Sequence, residues 1–286
     1  MRHTKPNGER SVLITGCSSG IGYAVARGLR ERGWRVFATA RQQRDVERLS
    51  GEGLESLPLD VTDSRSIQAT AASVLERTGG RLDALFNNAG YGQPGAVEDL
   101  SREVLRAQFE TNLFGAHELT CAVLPVMRRQ GHGRIIQHSS VLGLVALPYR
   151  GAYNASKFAL EGLTDTLRQE LAGSGIHVCL LETGPVRSRF RANAWQMFQQ
   201  HIDRERSAHR AIYNAVEWRL ASSTDDPFTQ GPQAVLRKVV HALESPRPKP
   251  RYYITLPTYA LGLLRRLLPT RALDTLLLRS TARERR

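Results

Sequence analysis

Two kinds of apolar pattern alternate along the chain. Short runs with apolar, often β-branched residues at consecutive positions are SVLIT at 11–15, WRVFATA at 34–40, ESLPLD at 55–60, LDALFNN at 82–88, GRIIQHSS at 133–140, IHVCLLE at 176–182 and YYITL at 252–256. Longer stretches of helical periodicity separate them. Strands that are apolar on both faces belong where helices cover both sides of a sheet. Seven of them with helical intervals predict a doubly wound, seven-stranded parallel sheet. The alternation lapses over 187–230, a polar stretch carrying Phe190, Trp195, Met197, Phe198, Tyr213 and Trp218. Helices there would cover a crevice and shape an apolar pocket, although each aromatic taken singly reads as an ordinary packing residue.

In such sheets ligands gather at the carboxyl ends of the strands. The polar and glycine residues of this chain collect at those ends: TGCSSGIG at 15–22, Asp60, NNAG at 87–90, Ser139 and Ser140, and ETGP at 182–185. Glycines 16, 20 and 22 sit where the first strand turns into a helix. They can take left-handed backbone angles and bring bare N–H groups against a ligand, and the helix N-terminus favours an anion there. One glycine-rich turn is weak evidence for a phosphate site; several segments converging on one crevice make it strong.

Composition removes several classes. A 286-residue chain with 41% hydrophobic and 23% charged residues can bury a sizeable core. The start, MRHTKPNGER, lacks the apolar stretch of a secretory signal, and no apolar run is long enough to cross a bilayer, so a soluble cytoplasmic protein is expected. Cys17, Cys121 and Cys179 are widely spaced and suggest neither disulfides nor a metal site. The formal charge is +13, but +8 of it lies in residues 246–286, and no zinc-finger or aromatic RNA-binding motif accompanies it. Nucleic acid is therefore not an expected partner. The segment LPTYALGLLRRLLPTRALDTLLLR at 256–279 predicts two short amphipathic helices. They would either fold back over the pocket or lie on an anionic membrane, with fold-back preferred.

YNASKFALEGLTDTLRQELAG at 153–173 predicts a helix. Ala155, Ala159, Leu163, Leu167 and Leu171 form its stripe toward the core or a partner, and Tyr153 and Lys157 stand one turn apart on another face. An ammonium so placed favours phenolate and is expected to lower the tyrosine pKa, making the phenol a usable acid or base. Alone, Y-x-x-x-K is more often a surface pair. Here it accompanies TGCSSGIG, DVT at 60–62, NNAG, FETNLFG at 109–115, GRIIQHSSVLG at 133–143 and ETGPVRSRF at 182–190, all in order. Over roughly residues 10–245 the chain resembles the short-chain dehydrogenase/reductase family. Within it, the chain is similar to the branch of 17β-hydroxysteroid dehydrogenases, retinol dehydrogenases and bacterial aldehyde reductases.

The resemblance implies a Rossmann fold and a set of roles. Tyr153 would donate a proton to a carbonyl, and Lys157 would bind the nicotinamide ribose and tune the phenol. Ser140, thirteen residues before the tyrosine, would hydrogen-bond the substrate oxygen in preference to Ser139. Asn112 would kink its helix and hold a water relaying protons to Lys157. Thr15, Gly16, Ser18, Ser19, Gly20, Ile21 and Gly22 would wrap the pyrophosphate. Asp60 and Val61 would flank the adenine, Asn88, Ala89 and Gly90 the adenosine ribose, and Pro185, Val186 and Ser188 the carboxamide. The run TGP departs from the family's usual P-G order at that loop. His138 has no family counterpart and is expected to be structural.

After the second strand comes Arg41 rather than the acid that would hold a ribose 2′-OH, which points to NADP(H). The expected organisation is a loose N-terminus over 1–9, one domain over 10–245 with the covering segment at 187–230, and the last strand with a basic extension over 246–286. The expected activity is hydride transfer between NADP(H) and a small hydrophobic carbonyl or alcohol, in a homo-oligomer that binds no metal. The competing readings are a catalytically silent NADP(H)-binding sensor or scaffold, and a membrane-surface binder acting through the C-terminal extension.

Overall fold

The computed structural model describes residues 9–282 apart from Ser223 and Asp226. The expected loose N-terminus therefore lies, except for Glu9, outside the described residues. All seven expected strands are present: β1 (Ser11–Ile14), β2 (Arg35–Ala40), β3 (Glu55–Pro58), β4 (Ala84–Asn87), β5 (Gly133–Ser140), β6 (Ile176–Thr183) and β7 (Arg251–Ile254). They form one parallel sheet in the order β3-β2-β1-β4-β5-β6-β7. The order reverses between β1 and β4, so the crevice opens beyond the end of β1.

The consecutive apolar positions of the strands are explained by two buried layers. Val12 and Ile14 of β1 face one side, with α1 (Gly20–Glu31), through Val25 and Leu29, and α9 (Gln233–Glu244), through Val235 and Val239. Leu13 faces the other, with α3 (Ser64–Arg77), through Ile67 and Val74, and α5 (Gly115–Gln130), through Leu119 and Val123. Neighbouring residues of one strand thus enter opposite cores. Helix α2 (Gln43–Gly51) follows β2, and α6 (Gly151–Glu170) lies against α5's layer. Ahead of α5, α4 (Arg102–Phe109) runs into a five-residue π turn at Glu110–Phe114, an extra residue per turn that bends the continuous helical path.

The segment after β6 folds into α7 (Phe190–His201) and α8 (Arg210–Ala221), which pack around Phe198, Tyr213 and Val216. The buried Tyr213 phenol bonds the Asp99 carboxylate and accepts from the Ala96 amide at 2.9 Å, which ties α8 to the loop after β4. After β7 come α10 (Leu256–Leu267) and α11 (Thr270–Ser280). Leu273 and Leu277, with Leu261, Leu264 and Leu268, pack on Val141, Val145 and Leu147, so the extension folds back onto the segment following β5. Among the described residues no helix is long and apolar enough to cross a membrane.

Candidate active site

The turn after β1 has the shape a pyrophosphate requires. Gly16 and Gly20 have φ of 72° and 59°, and a Cβ on Gly22 would sit 2.3 Å from the Gly16 carbonyl oxygen. Ser19 precedes α1 in extended geometry with no side-chain cap, and no acid stands in the helix's first turn. Its leading N–H groups therefore face the crevice with the positive end of the helix dipole. Ser18 and Ile21 are half-buried on this turn. Thr15 ties it to β4: its hydroxyl accepts from the Asn88 and Ala89 backbone N–H groups at 2.9 and 2.8 Å, while the Asn88 side-chain Nδ2 donates to the Thr15 and Gly16 carbonyls at 2.9 and 3.1 Å. Gly90 follows, exposed at the crevice.

The other expected residues lie on the loops after β3 and β6. Asp60 closes a local turn by accepting from the Thr62 amide and hydroxyl at 2.9 and 2.8 Å, and Val61 is buried against the start of α5. Pro185 and Val186 are held by Gln230, whose backbone N–H donates to the Pro185 carbonyl at 3.1 Å, and Ser188 lies against Gly20. Arg41 is exposed immediately after β2 and has no ion-pair partner among the described residues. A second guanidinium, absent from the expectations, reaches the turn: Arg48 Nη2 donates to the Ser18 carbonyl at 2.7 Å. Its position on the second turn of α2 is not signalled by any motif. This arrangement of donors, left-handed glycines and a bare helix N-terminus fits a dinucleotide.

At the far side of the crevice, Tyr153 and Lys157 rise from the first turns of α6. The Lys157 ammonium donates to the His138 carbonyl at 2.6 Å and stands 5.7 Å from the Tyr153 ring centre. The expected lowering of the tyrosine pKa is not what the structure gives. Burial pushes the Tyr153 phenol up to about 12, opposed by a hydrogen bond with Ser140, and burial pushes the Lys157 ammonium down to about 8. Desolvation outweighs the lysine's charge because that charge is engaged with a carbonyl rather than aimed at the phenol oxygen.

Alternation along β5 separates the two serines. Ser140 lies beside Tyr153, donating to the Thr183 carbonyl at 3.3 Å and accepting from the Leu142 amide at 3.1 Å, whereas Ser139 is fully buried on the opposite face. Asn112 occupies the π turn. Its amide hydrogens go to the Tyr91 carbonyl at 3.0 Å and the Ser156 hydroxyl at 3.1 Å, and its oxygen accepts from the Tyr91 amide at 3.1 Å. With both amide hydrogens used, the side chain braces the loop after β4 against α6.

His138 is structural in a specific way. The Asn88 oxygen, 3.0 Å from Nδ1, can only accept, so Nδ1 carries the proton and Nε2, 3.2 Å from the Thr183 hydroxyl, is the acceptor. Burial and the nearby Lys157 hold its pKa down to about 3, so the ring is neutral while its carbonyl receives the lysine. The lid contributes Phe190, whose ring meets Tyr153 edge-on at 5.3 Å. A recess of about 460 Å³, lined by Ala96, Val97, Glu98, Pro148, Tyr149 and His209, opens between the lid and the approach to α6.

A parallel sheet with a phosphate-shaped turn at its switch point, and a serine, tyrosine and lysine across the crevice, defines a dinucleotide-dependent oxidoreductase of the Rossmann type. Residues 10–199 match the short chain dehydrogenase family, and the chain belongs to it. It is 44% identical over 269 residues to the uncharacterized oxidoreductase YbbO of Escherichia coli K12, covering 94% of each chain. It is 36% identical over 261 residues to human 17-beta-hydroxysteroid dehydrogenase type 1, covering 85% of this chain and 77% of that protein. Among solved structures, a short-chain dehydrogenase/reductase from Burkholderia phymatum in complex with NAD superposes with a TM-score of 0.73 at 27% identity, covering 91% and 92% of the two chains. The protein is thus an oxidoreductase of the class that acts on CH–OH groups with NAD(P).

Proposed function

We propose that the protein reduces hydrophobic aldehydes or ketones, or oxidises the matching alcohols, with NADP(H). The observation that carries this reading is the juxtaposition of Ser140, Tyr153 and Lys157 across the crevice from the glycine turn. The bound dinucleotide would supply the hydride, as cofactors of this kind do. The protein's part is positioning and proton transfer. The Ser140 hydroxyl hydrogen-bonds the substrate oxygen, and Tyr153 gives that oxygen its phenolic proton as the carbonyl carbon receives the hydride, leaving the alcohol. A phenol raised toward 12 is fully protonated at neutral pH, the form a reductase needs before transfer. Lys157 binds the ribose and stabilises the phenolate formed, and Asn112 braces α6. Phe190 and the apolar lid exclude water and favour an apolar substrate.

Arg41 supplies the NADP(H) preference in this reading. It is exposed immediately after β2, without an acidic partner among the described residues, where a 2′-phosphate would meet a guanidinium able to offer paired hydrogen bonds. Residues 10–245 act as the catalytic domain, with 246–286 as an added strand and extension. The protein works in the cytoplasm as a homo-oligomer paired through the outer stripe of α6, where Ala155, Phe158 and Leu163 are exposed.

The test is NADPH consumption against aliphatic, aromatic, retinoid and steroid carbonyls. Turnover of apolar members is the expected result; dinucleotide binding without turnover of any class would favour a silent sensor instead. A second role is supported by α10, whose outer row of Leu256, Tyr259, Leu263 and Leu267 is 49–67% exposed although its inner row is packed. With Arg265, Arg266 and Arg271 close by, this row suits peripheral contact with an anionic membrane.

A further inference from the structure

Behind the active-site lysine lies a charged cluster that the proposed reaction does not use. Glu161 follows Lys157 by one turn of α6 and is buried, and Glu182 of β6 is fully buried. Both carboxylates bond one guanidinium, that of Arg251 on β7, which also takes Asp165 of α6; the contact to Glu182 is 2.7 Å. Ser139 faces Glu161 from β5. The short turn after β5 closes over them both: a Cβ on Gly143 would lie 2.8 Å from the Ser139 hydroxyl and 3.0 Å from Glu161 Cγ. Burying carboxylates is costly unless they are paired, and one guanidinium between two of them leaves part of each unsatisfied. Among the described residues, Glu182 Oε2 has no hydrogen-bond partner.

We infer that Glu161, clamped by Arg251, is a positioning residue that keeps Lys157 charged and in its ribose-binding place, so that the last strand is coupled to the active site. The rationale is electrostatic. Lys157 is buried and, among the described residues, donates to the His138 carbonyl, an uncharged acceptor; burial works against its proton. Glu161, four residues on, is its neighbour on the helix face and acts to hold that proton. The other groups around Glu161 are Asp165 on α6, Glu182 on β6, Arg251 and Tyr253 on β7 and Ser139 on β5, with Arg168 beside Asp165 and Arg266 of α10 beyond Tyr253. Glu182 is pushed up to about 8 by burial and by Glu161, so at neutral pH it holds its proton and leaves the guanidinium's charge to Glu161 and Asp165.

This inference rests on the functional reading above, and its test separates the two. NADPH affinity by fluorescence and kcat/KM are measured from pH 6 to 9.5. Both should decline in the unaltered protein as pH rises through about 8, where Lys157 loses its proton. In Glu161→Gln the midpoint of that decline should fall by at least about half a pH unit, while Glu161→Asp restores it. Glu182→Gln touches the same guanidinium but is not Lys157's helix neighbour, and should leave the midpoint in place. Gly143→Ala, which displaces the carboxylate without removing a polar group, should lower it and serves if Glu161→Gln does not fold. Equal midpoints in the unaltered protein and the Glu161 and Gly143 variants, or equal shifts in Glu161→Gln and Glu182→Gln, would overturn the inference. Failure of the unaltered protein to bind dinucleotide would overturn the functional reading and the inference with it.

Discussion

At the scale of single residues, the site is a balance of desolvation against a few directed hydrogen bonds. Tyr153 and Lys157 are each moved toward neutrality by burial, which stores a proton on the phenol and leaves the lysine dependent on its surroundings. Tyr153→Phe removes the proton but not the packing with Phe190. It should lower kcat by about 10²- to 10⁴-fold with NADPH affinity nearly unchanged, as stopped assays and fluorescence titration can establish. A Phe variant within a few-fold of the unaltered enzyme would rule out the proton transfer. Lys157→Ala should damage both binding and rate, since in the proposed mechanism one ammonium serves both. Arg41 belongs to the same scale. The unaltered enzyme should prefer NADPH to NADH by at least about tenfold in kcat/KM, a difference of about 1.4 kcal/mol, and Arg41→Ala should lose most of that margin by weakening NADPH alone. An unchanged ratio would shift the assignment to Arg48, which the fold delivers to the Ser18 carbonyl.

The elements differ in how firmly they are committed. The sheet and its covering helices are fixed by two continuous apolar layers, and α7 and α8 by the Phe198–Tyr213 cluster. The two terminal helices have one face in and one face out. Leu261, Leu264 and Leu268 are spent on the segment after Ser140, so deleting 256–286 should disturb the active site as well as the surface. Flotation with anionic liposomes separates the faces. Salt-sensitive binding by the full chain, lost on replacing Leu263 and Leu267 with Ser, is the expected outcome, because those side chains are exposed and removing them leaves the inner packing intact. Binding that survives the double substitution would place the contact elsewhere on the molecule.

For the whole molecule, buried titratable groups make stability depend on pH. An unfolded histidine titrates near 6.5, whereas His138 refuses a proton until about pH 3. Between those values the unfolded chain binds a proton that the folded chain does not, so this residue's share of stability is present above pH 6.5 and is lost as the pH falls below it. In urea unfolding, His138→Gln should therefore lose less stability than the unaltered protein on going from pH 7.5 to 5. The difference is expected to be about 1 kcal/mol, reduced from the full linkage value because the ring is only partly removed from solvent. Identical pH dependence of the two proteins would mean that His138 titrates normally.

Local pattern was enough for much of this. Consecutive apolar positions determined the seven strands, because a strand buried on both faces has no polar face to alternate with. The glycine turn and the tyrosine–lysine spacing were legible for the same reason: each depends on residues close in sequence, where local geometry fixes which groups share a face; Ser140 was preferred to Ser139 only through the family resemblance. What periodicity could not report is what surrounds a side chain once distant segments meet. The direction of the Tyr153 shift, the full use of Asn112's amide, the neutral ring of His138 and the approach of Arg48 all follow from burial and from partners contributed by other elements. The meeting of Glu161, Glu182 and Arg251 was decided only by tertiary structure, since desolvation and the pairing that offsets it exist only when α6, β6 and β7 have packed together.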